Sequence, residues 1–316
     1  MSENSLRVRV LGSSAGGGLP QWNCGCPQCH AARSDQAHTP PRTQSSIAVS
    51  ADGVRWVLLN ASPDVRTQLA QWPEAAPPPG YTRHTPIAAS VLSNADLDHC
   101  LGLLILREGG APAIYATDAA LEALEQGLGV LSALRSYGPV VTHALALDQE
   151  ISVRDREGRD TGVWITPFAV ASKVPPYASA KGLGQTRGDL DGDAIGLLVR
   201  TQTSATLAYV PALRVLDARL AGYLSRAHTL LVDGTFFGAD ELTKTGVTTR
   251  DAYAMGHAPL SGPDGILAYL QHFPDASRWL IHINNSNPIV CSHSEECALV
   301  HEANVGITYD GLSLTL

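Results

Sequence analysis

The sequence lacks several features that define large classes of protein. It contains no run of roughly 18 uninterrupted apolar residues, so no transmembrane helix is predicted. Charged residues make up only 16% of the 316 positions and hydrophobic residues 44%, which indicates a compact chain and excludes a disordered one. Basic residues are in deficit. The net charge of −8 disfavours nucleic acid or an anionic membrane as the main partner.

The N-terminal stretch MSENSLRVRVLG also lacks the charged start and apolar segment of an export signal. Of the six cysteines, three are crowded into CGCPQC at positions 24–29. Such crowding is poor geometry for separate disulfides and good geometry for a metal ion. We therefore expect a reduced, cytoplasmic protein that does not insert into a membrane.

Short apolar runs bounded by turn residues recur along the chain, and their length and β-branched content favour strands. They lie at 7–12, 54–62, 88–94, 196–201, 205–211, 229–234 and 278–283. Helical spacing of leucines predicts helices over 117–131 and 262–273. The C-terminal stretch VGITYDGLSLTL predicts a hairpin with Asp310 and Gly311 as its turn.

Two segments rich in proline and glycine, 72–86 and 174–193, are long for loops of a compact domain and are candidate lids over a site. Together the elements predict an α/β fold in which two β-sheets pack together with helices outside. We expect one domain over residues 1–316, with a metal-binding loop at 22–30.

The cysteines in the loop WNCGCPQCH follow the pattern C-x-C-x-x-C. This spacing can direct three thiolates, from Cys24, Cys26 and Cys29, at one tetrahedral zinc ion. A histidine or an oxygen ligand from elsewhere would complete such a site, which would then be structural. The alternative is three buried thiols without a metal.

Four polar residues stand where apolar strands end. Asp98 and His99 follow the strand-like run AASVLS, Asp233 ends the run TLLVDG, and His282 lies within LIHINN. Each residue alone is most simply a hydrogen-bonded polar group. Together, at three strand ends, they favour a site for iron, zinc or manganese, because buried carboxylates and imidazoles are costly unless paired or bound to metal.

Five motifs in a fixed order carry a specific resemblance: LGSSAGGGLPQWNCGCPQC, LSNADLDHCLGL, LLVDGTF, MGH and LIHIN. The chain resembles the metallo-β-lactamase superfamily and, within it, the family of coenzyme PQQ synthesis protein B. The match covers nearly the whole chain. It implies the αββα sandwich of that superfamily, with two packed sheets and helices outside.

The resemblance also assigns residues. Hydrolytic relatives hold two metal ions with the motif H-x-H-x-D-H, but here Asn94 and Asp96 replace the first two histidines while Asp98 and His99 remain. Asp233 corresponds to the bridging aspartate and His282 to the last metal histidine. The region 169–177, where another histidine of the first metal is expected, contains none. One metal position is therefore lost and the other is kept.

Further positions follow from the resemblance. The fourth ligand of the cysteine site falls on Asn285. His257, in MGH, matches a position that faces the site and is a candidate substrate or acid–base group, with a core histidine as the alternative. Asn94 and Asp96 are candidate substrate contacts. The precursor expected for this family is rich in carboxylates, so cationic side chains should bind it. The available cations are Arg42, Arg66, Arg107, Lys173 and Arg187, of which Arg42 and Lys173 are the candidate contacts.

Two histidines with carboxylates and open positions are close to the ligand set of non-haem Fe²⁺ oxygenases. The resemblance implies a role in pyrroloquinoline quinone (PQQ) biosynthesis, as an iron-dependent hydroxylase of the tyrosine in a Glu-Tyr-derived precursor. It also implies structural Zn²⁺, an active-site Fe²⁺ for which Zn²⁺ or Mn²⁺ can substitute, and a small-molecule or dipeptide precursor and O₂ as partners. A homodimer stays open. The alternatives are a non-enzymatic carrier of PQQ or its precursor to the periplasm, and a residual metallohydrolase that uses Asp96 as a ligand.

Overall fold

The computed structural model describes residues 5–171, 173–184, 188–203 and 205–316. Short buried runs of β-branched and aliphatic residues form the strands, as their composition predicts. The strands in the described part of the chain are β1 (Arg7–Gly12), β2 (Ser46–Ser50), β3 (Trp56–Leu59), β4 (Ile87–Val91), β5 (Ala113–Ala116), β6 (Thr142–Ala144), β7 (Ile151–Arg154), β8 (Asp160–Ala169), β9 (Ile195–Arg200), β10 (Leu207–Val210), β11 (Thr229–Asp233), β12 (Ser277–Ile281), β13 (Gly306–Ile307) and β14 (Ser313–Thr315).

The strands form two mixed sheets of seven. The first has the order β14-β1-β2-β3-β4-β5-β6, and the second has the order β13-β12-β11-β10-β9-β8-β7. In the first sheet β3 to β6 run parallel, and in the second β10 to β13 run parallel. The carboxyl ends of parallel strands are where α/β folds place ligands, so the ends of β4, β11 and β12 are the places to look for a site.

Helices are short and lie outside the sheets. The α-helices in the described residues are α1 (Pro27–Ser34), α2 (Val65–Ala70), α3 (Leu97–Cys100), α4 (Gly102–Leu106), α5 (Asp118–Glu122), α6 (Val130–Arg135), α7 (Pro176–Ser179), α8 (Ala218–Leu224), α9 (Glu241–Lys244), α10 (Ala252–Met255), α11 (Ile266–Leu270) and α12 (Glu295–Glu302). Single 3₁₀ turns cover Pro73–Ala75, Arg107–Gly109 and Pro288–Val290, and a π-helical turn covers Ala123–Leu128. No helix in the described ranges is long and apolar enough to cross a membrane.

The core has three layers of apolar contact. Alternate residues of both sheets meet in the middle, where Val49, Val91, Leu197 and Tyr209 are fully or almost fully buried. The outer face of the second sheet packs against α8, α11 and α12, and the outer face of the first packs against α2 and α4 to α6. The predicted arrangement of two packed sheets with helices outside is confirmed.

The predicted helix over 117–131 is wrong as a single element. It begins as expected, with the Thr117 hydroxyl accepting a hydrogen bond from the amide of Ala120. It then passes through the π-helical turn and stops at Gly129, whose φ of 72° is left-handed. Gly127 packs so tightly that a Cβ there would lie 2.7 Å from the ring of Tyr177. The two glycines therefore break the pattern that the leucines predict.

The predicted C-terminal hairpin is also wrong. β13 pairs with β12 in the second sheet and β14 pairs with β1 in the first, so the chain crosses between sheets instead of turning back. The reason is the Asp310 carboxylate, which accepts hydrogen bonds from the amide and hydroxyl of Ser13 and from those of Thr43. These four bonds tie the Asp310–Gly311 turn to the first sheet.

Candidate metal centres

Three side chains converge at one edge of the sandwich. Asp98 and His99 lie on α3, directly after the carboxyl end of β4, and His282 directly follows β12 in the other sheet. Ligand atoms of all three lie within 4.8 Å of one another. Nε2 of His282 is 3.2 Å from Oδ2 of Asp98, and Nε2 of His99 is 3.9 Å from the same oxygen. The arrangement is two imidazoles and one carboxylate.

The backbone at this edge is shaped to bring the three together. His282 has a φ of 61°, a left-handed conformation that is uncommon for residues other than glycine. The loop after β1 crosses between the sheets, with Ser14 bridging to Ile283, and Gly16 lies against Asp98. A Cβ on Gly16 would lie 3.3 Å from Oδ2 of Asp98, so the glycine leaves room for the carboxylate.

Burial and the charges of neighbouring groups shift the pKa values of all three side chains in this cluster. Burial disfavours the charged form of Asp98, but the imidazoles of His99 and His282 stabilise that form more strongly and hold the pKa of Asp98 below its usual range. Burial lowers the pKa of His99 to about 4. Burial also opposes the charge on His282, yet its hydrogen bond to Asp98 and the nearby carboxylates raise its pKa.

One nitrogen in the cluster has no hydrogen-bond partner among the residues that the structure describes. Nε2 of His99 is buried and makes no hydrogen bond to any residue that the structure describes. An unpaired polar atom in a buried site is costly, and a metal ion is a partner that would satisfy it. The donor set of two imidazoles and one carboxylate therefore fits a divalent transition metal.

A second group of side chains adjoins the first. Asp233, at the end of β11, accepts a hydrogen bond from Nδ1 of His257 at 2.6 Å. The amide of Leu213 donates to the same oxygen, and the amide and hydroxyl of Thr235 lie 2.9 and 2.5 Å from the other oxygen. Asp233 is fully buried and its carboxylate is thus surrounded by protein donors. Ligand atoms of Asp233, His257 and His282 also lie within 4.8 Å of one another, so the predicted metal ligand Asp233 belongs to a second group that shares His282 with the first.

Thr235 is a site residue that sequence reasoning missed. Its hydroxyl is 2.9 Å from Nδ1 of His282 and 3.1 Å from Nδ1 of His257, besides its contact with Asp233. The available signal was a hydroxyl two residues after an aspartate that ends a strand, a spacing at which such side chains commonly hydrogen-bond. Through Thr235 the two groups of side chains become one network.

The predicted substrate contacts lie in different places. Lys173 is half-buried and passes over Gly256, and Asp96 and Asp98 oppose the lowering of its pKa that burial causes. Burial and the charge of Asp98 raise the pKa of Asp96 to about 6. Asp96 and Lys173 therefore border the metal cluster.

The structure contradicts the prediction for Arg42, and it shows one contact of Asn94. Arg42 is 8% exposed, and its guanidinium donates to the hydroxyl of Ser13 and the carbonyl of Thr308, so the fold itself uses this side chain. Asn94 is 3% exposed, and its amide oxygen is 2.7 Å from Nδ1 of His99. The oxygen of Asn94 thus contacts His99, and its role as a substrate contact stays a prediction.

The other predicted cations and the two candidate lid loops lie at different places in the fold. Arg66 and the loop 72–86 border a cavity of about 970 Å³ that none of the metal-cluster residues lines, so this loop does not cover the cluster. Arg107 pairs with Glu108 at 3.0 Å. Arg187 lies outside the described residues. The loop 174–193 ends beside Asn94, which bridges to Ala194.

The cysteine loop forms a separate centre. The sulfurs of Cys24, Cys26 and Cys29 lie within 4.8 Å of one another at the start of α1. Burial opposes ionisation of Cys24, but hydrogen bonds from its neighbours lower its pKa. Burial raises the pKa of Cys26 to about 12. The terminal amide of Asn285 faces all three sulfurs, with Nδ2 at 3.3, 3.7 and 3.3 Å. A tetrahedral ion bound by three sulfurs would have its fourth ligand at about these distances from the sulfurs.

Comparisons with known proteins identify the family of this chain. Residues 55–283 match the β-lactamase superfamily domain. The chain is 40% identical to the coenzyme PQQ synthesis protein B of Methylococcus capsulatus over 312 residues, 98% of this chain and 99% of that protein. It is likewise 40% identical over 312 residues to the protein of that name from Pseudomonas fluorescens, with the same coverage.

Solved structures show the same relationship. The crystal structure of Zn²⁺-bound PqqB from Methylobacterium extorquens has a TM-score of 0.86 and 36% identity, covering 98% of this chain and 100% of that one. A diphosphatase of the PhnP family shares the fold, with a TM-score of 0.65 and 19% identity over 99% of this chain and 97% of that one. The chain therefore belongs to the coenzyme PQQ synthesis protein B family of the β-lactamase superfamily.

Proposed function

We propose that this protein acts in PQQ biosynthesis as a mononuclear Fe²⁺-dependent oxygenase that hydroxylates the tyrosine ring of a Glu-Tyr-derived precursor. The observation that carries the proposal is the convergence of Asp98, His99 and His282 within 4.8 Å. Two imidazoles and one carboxylate with open positions are the ligand set of non-haem Fe²⁺ oxygenases. The name of the relatives in Methylococcus and Pseudomonas supports the pathway.

The replacement of the ligands at the first metal position of the hydrolytic motif also supports the proposal. A two-metal hydrolase clamps the attacking and leaving oxygens between two ions. Here Asn94 turns its amide oxygen to His99, and Asp96 belongs to none of the clusters of metal-binding geometry among the described residues. The first position therefore lacks its motif ligands, and the proposal assigns one ion to Asp98, His99 and His282, although Asp233, His257 and His282 form a second group of candidate ligands that shares His282.

O₂ supplies one oxygen atom to an aromatic C–H bond, which becomes C–OH, and the second oxygen atom leaves as water. Two electrons and two protons come from an added reductant such as ascorbate. Iron held by Asp98, His99 and His282 supplies the redox chemistry when bound.

The protein's own side chains bind the substrate and hold protons. The ammonium group of Lys173 borders the cluster and is suited to a precursor carboxylate. The hydrogen bond from Nδ1 of His257 to Asp233 fixes the imidazole and leaves Nε2 to take up or release a proton. Zn²⁺ in the cysteine loop, completed by the amide oxygen of Asn285 after a half-turn of its amide, has a structural role.

The test is a single-turnover experiment. The protein is loaded anaerobically with Fe²⁺, mixed with a Glu-Tyr peptide and ascorbate, and exposed to O₂, and the product mass is measured. We expect the peptide to gain one oxygen atom, with loss of the reaction in Asp98→Ala and His282→Ala and none in the exposed-histidine control His272→Ala. An unchanged peptide together with tight binding of PQQ itself would favour the carrier instead.

A further inference from the structure

Asn94 stands where hydrolytic relatives have the first histidine of the metal motif, and the fold holds its side chain in one orientation. It follows β4, and it bridges to Ala194 in the other sheet. The backbone amide of Asp96 donates to Oδ1 of Asn94 at 3.0 Å. A backbone amide can only donate, so the atom that faces it is the oxygen of the side-chain amide and not its nitrogen.

The same oxygen is 2.7 Å from Nδ1 of His99. An amide oxygen can only accept a hydrogen bond, so Nδ1 of His99 must carry the proton. Neutral imidazole has one proton, and therefore Nε2 has the free lone pair. Nε2 is the atom that faces Asp98 at 3.9 Å and that lacks a partner among the described residues.

We propose that Asn94 is a positioning residue, which has changed from a metal ligand to a hydrogen-bond acceptor that holds His99 in the Nδ1-protonated tautomer. Its effect is to keep the lone pair of Nε2 directed at the metal site before any ion binds. Residues that orient ligating histidines in this way contribute strongly to metal affinity. The proposal rests on the proposed function only in that the site binds a metal, since the tautomer is a property of the metal-free protein.

The contact at His282 differs from the contact at His99. Nδ1 of His282 instead faces the hydroxyl of Thr235, which is 2.5 Å from Oδ1 of Asp233 and 2.9 Å from the carbonyl of His282. That hydroxyl donates its single proton to one of these two oxygens and therefore accepts from Nδ1 of His282, so a hydroxyl holds this imidazole, whereas the oxygen of Asn94 holds His99 directly.

The experiment reads the tautomer directly. Metal-free protein labelled with ¹⁵N-histidine gives long-range ¹H–¹⁵N spectra at neutral pH, with His99 assigned from the signals that disappear in His99→Gln. We expect Nδ1-protonated His99 in the natural protein and in Asn94→Asp, which keeps an acceptor. Asn94→Leu removes this acceptor and leaves only the more distant hydroxyl of Ser93, 3.5 Å from Nδ1, so its His99 should shift to an Nε2-protonated or mixed state.

Anaerobic Fe²⁺ titration against a chelator supplies the second readout. Affinity should fall roughly 10–100-fold in Asn94→Leu and change little in Asn94→Asp. Nε2-protonated His99 in the natural protein, or an unchanged tautomer and affinity in Asn94→Leu, would overturn the proposal. Neither readout uses the peptide or O₂, so a failure of the oxygenase assay and a failure of this assignment are separate results.

Discussion

Nε2 of His282 lies 3.2 Å from Oδ2 of Asp98, although 184 positions separate the two residues. The contact joins the strand ends of the two sheets, one residue following β12 and the other lying on α3 after β4. Without a metal the carboxylate and the imidazole bind each other, because each carries charge that burial would otherwise oppose. A metal ion would take both atoms as ligands.

This contact leads to a prediction for metal binding. Asp98→Ala removes the only carboxylate among the three converging ligands, and we expect Fe²⁺ affinity to fall by more than the roughly 10–100-fold typical of outer-shell changes. Anaerobic titration against a chelator measures it. Asp275→Asn, at an exposed aspartate, should bind Fe²⁺ as the natural protein does. Equal affinities in Asp98→Ala and the natural protein would remove Asp98 from the ligand set.

His257 should affect turnover and not metal binding. Its Nδ1 is engaged by Asp233 at 2.6 Å, and its ring stacks on His282 with centroids 5.4 Å apart. We expect His257→Gln to slow hydroxylation roughly 100- to 10,000-fold, the usual contribution of a group that transfers protons. The Fe²⁺ affinity should change little, because His257 is not among the three proposed ligands Asp98, His99 and His282. A parallel loss of iron binding in this variant would instead make His257 a ligand.

The sequence locates the sheets and the polar residues at the strand ends better than it locates the neighbours of those residues. Apolar runs locate β4, β11 and β12, and the polar residues at their ends point to Asp98, Asp233 and His282. The periodicity of the sequence does not show which hydrogen-bond partner each side chain has in the fold. Asp233 is surrounded by Leu213, Thr235 and His257, contacts that depend on three loops folding together.

The C-terminus shows the same limit. Asp310 and Gly311 have the composition of a hairpin turn, and local chemistry predicts nothing else. The alternative needs hydrogen bonds from Ser13 and Thr43, about 300 and 270 residues earlier in the chain. Likewise Arg42 is predicted to contact the substrate, but its guanidinium donates a hydrogen bond to the carbonyl of Thr308 inside the fold. Distant partners decide these positions.

The cysteine loop gives a prediction for zinc. If the amide of Asn285 completes the site, Asn285→Ala should bind Zn²⁺ roughly 10–100-fold more weakly. Asn285→Asp should bind it at least as tightly, since a carboxylate is a stronger zinc ligand than an amide. Competition with a chromogenic chelator measures the affinity, and a thermal melt should show a lower Tm for the alanine variant.

The control for that experiment is in the same loop. Asn23 is exposed and contacts Gln21 instead of the sulfurs, so Asn23→Ala should leave zinc affinity and Tm unchanged. A zinc affinity in Asn285→Ala equal to that of Asn23→Ala would mean that a water or another group is the fourth ligand.

Asp96 should make the stability of the metal-free protein depend on pH. Burial and the charge of Asp98 raise its pKa from 3.8 to about 6, so the folded chain holds this proton more tightly than the unfolded chain. The resulting stabilisation is complete below about pH 4 and is lost as pH rises through about 6. Asp96→Asn has no charge to bury. Its free energy of unfolding should therefore equal that of the natural protein near pH 4 and exceed it by on the order of 1–3 kcal/mol at pH 7.

Urea melts across this range measure the difference, and Asp264→Asn, at an exposed aspartate, should follow the natural protein throughout. If the difference in free energy of unfolding between Asp96→Asn and the natural protein stays constant with pH, Asp96 is ionised in the fold at little cost. The charge of Lys173 would then stabilise the Asp96 carboxylate more than burial destabilises it.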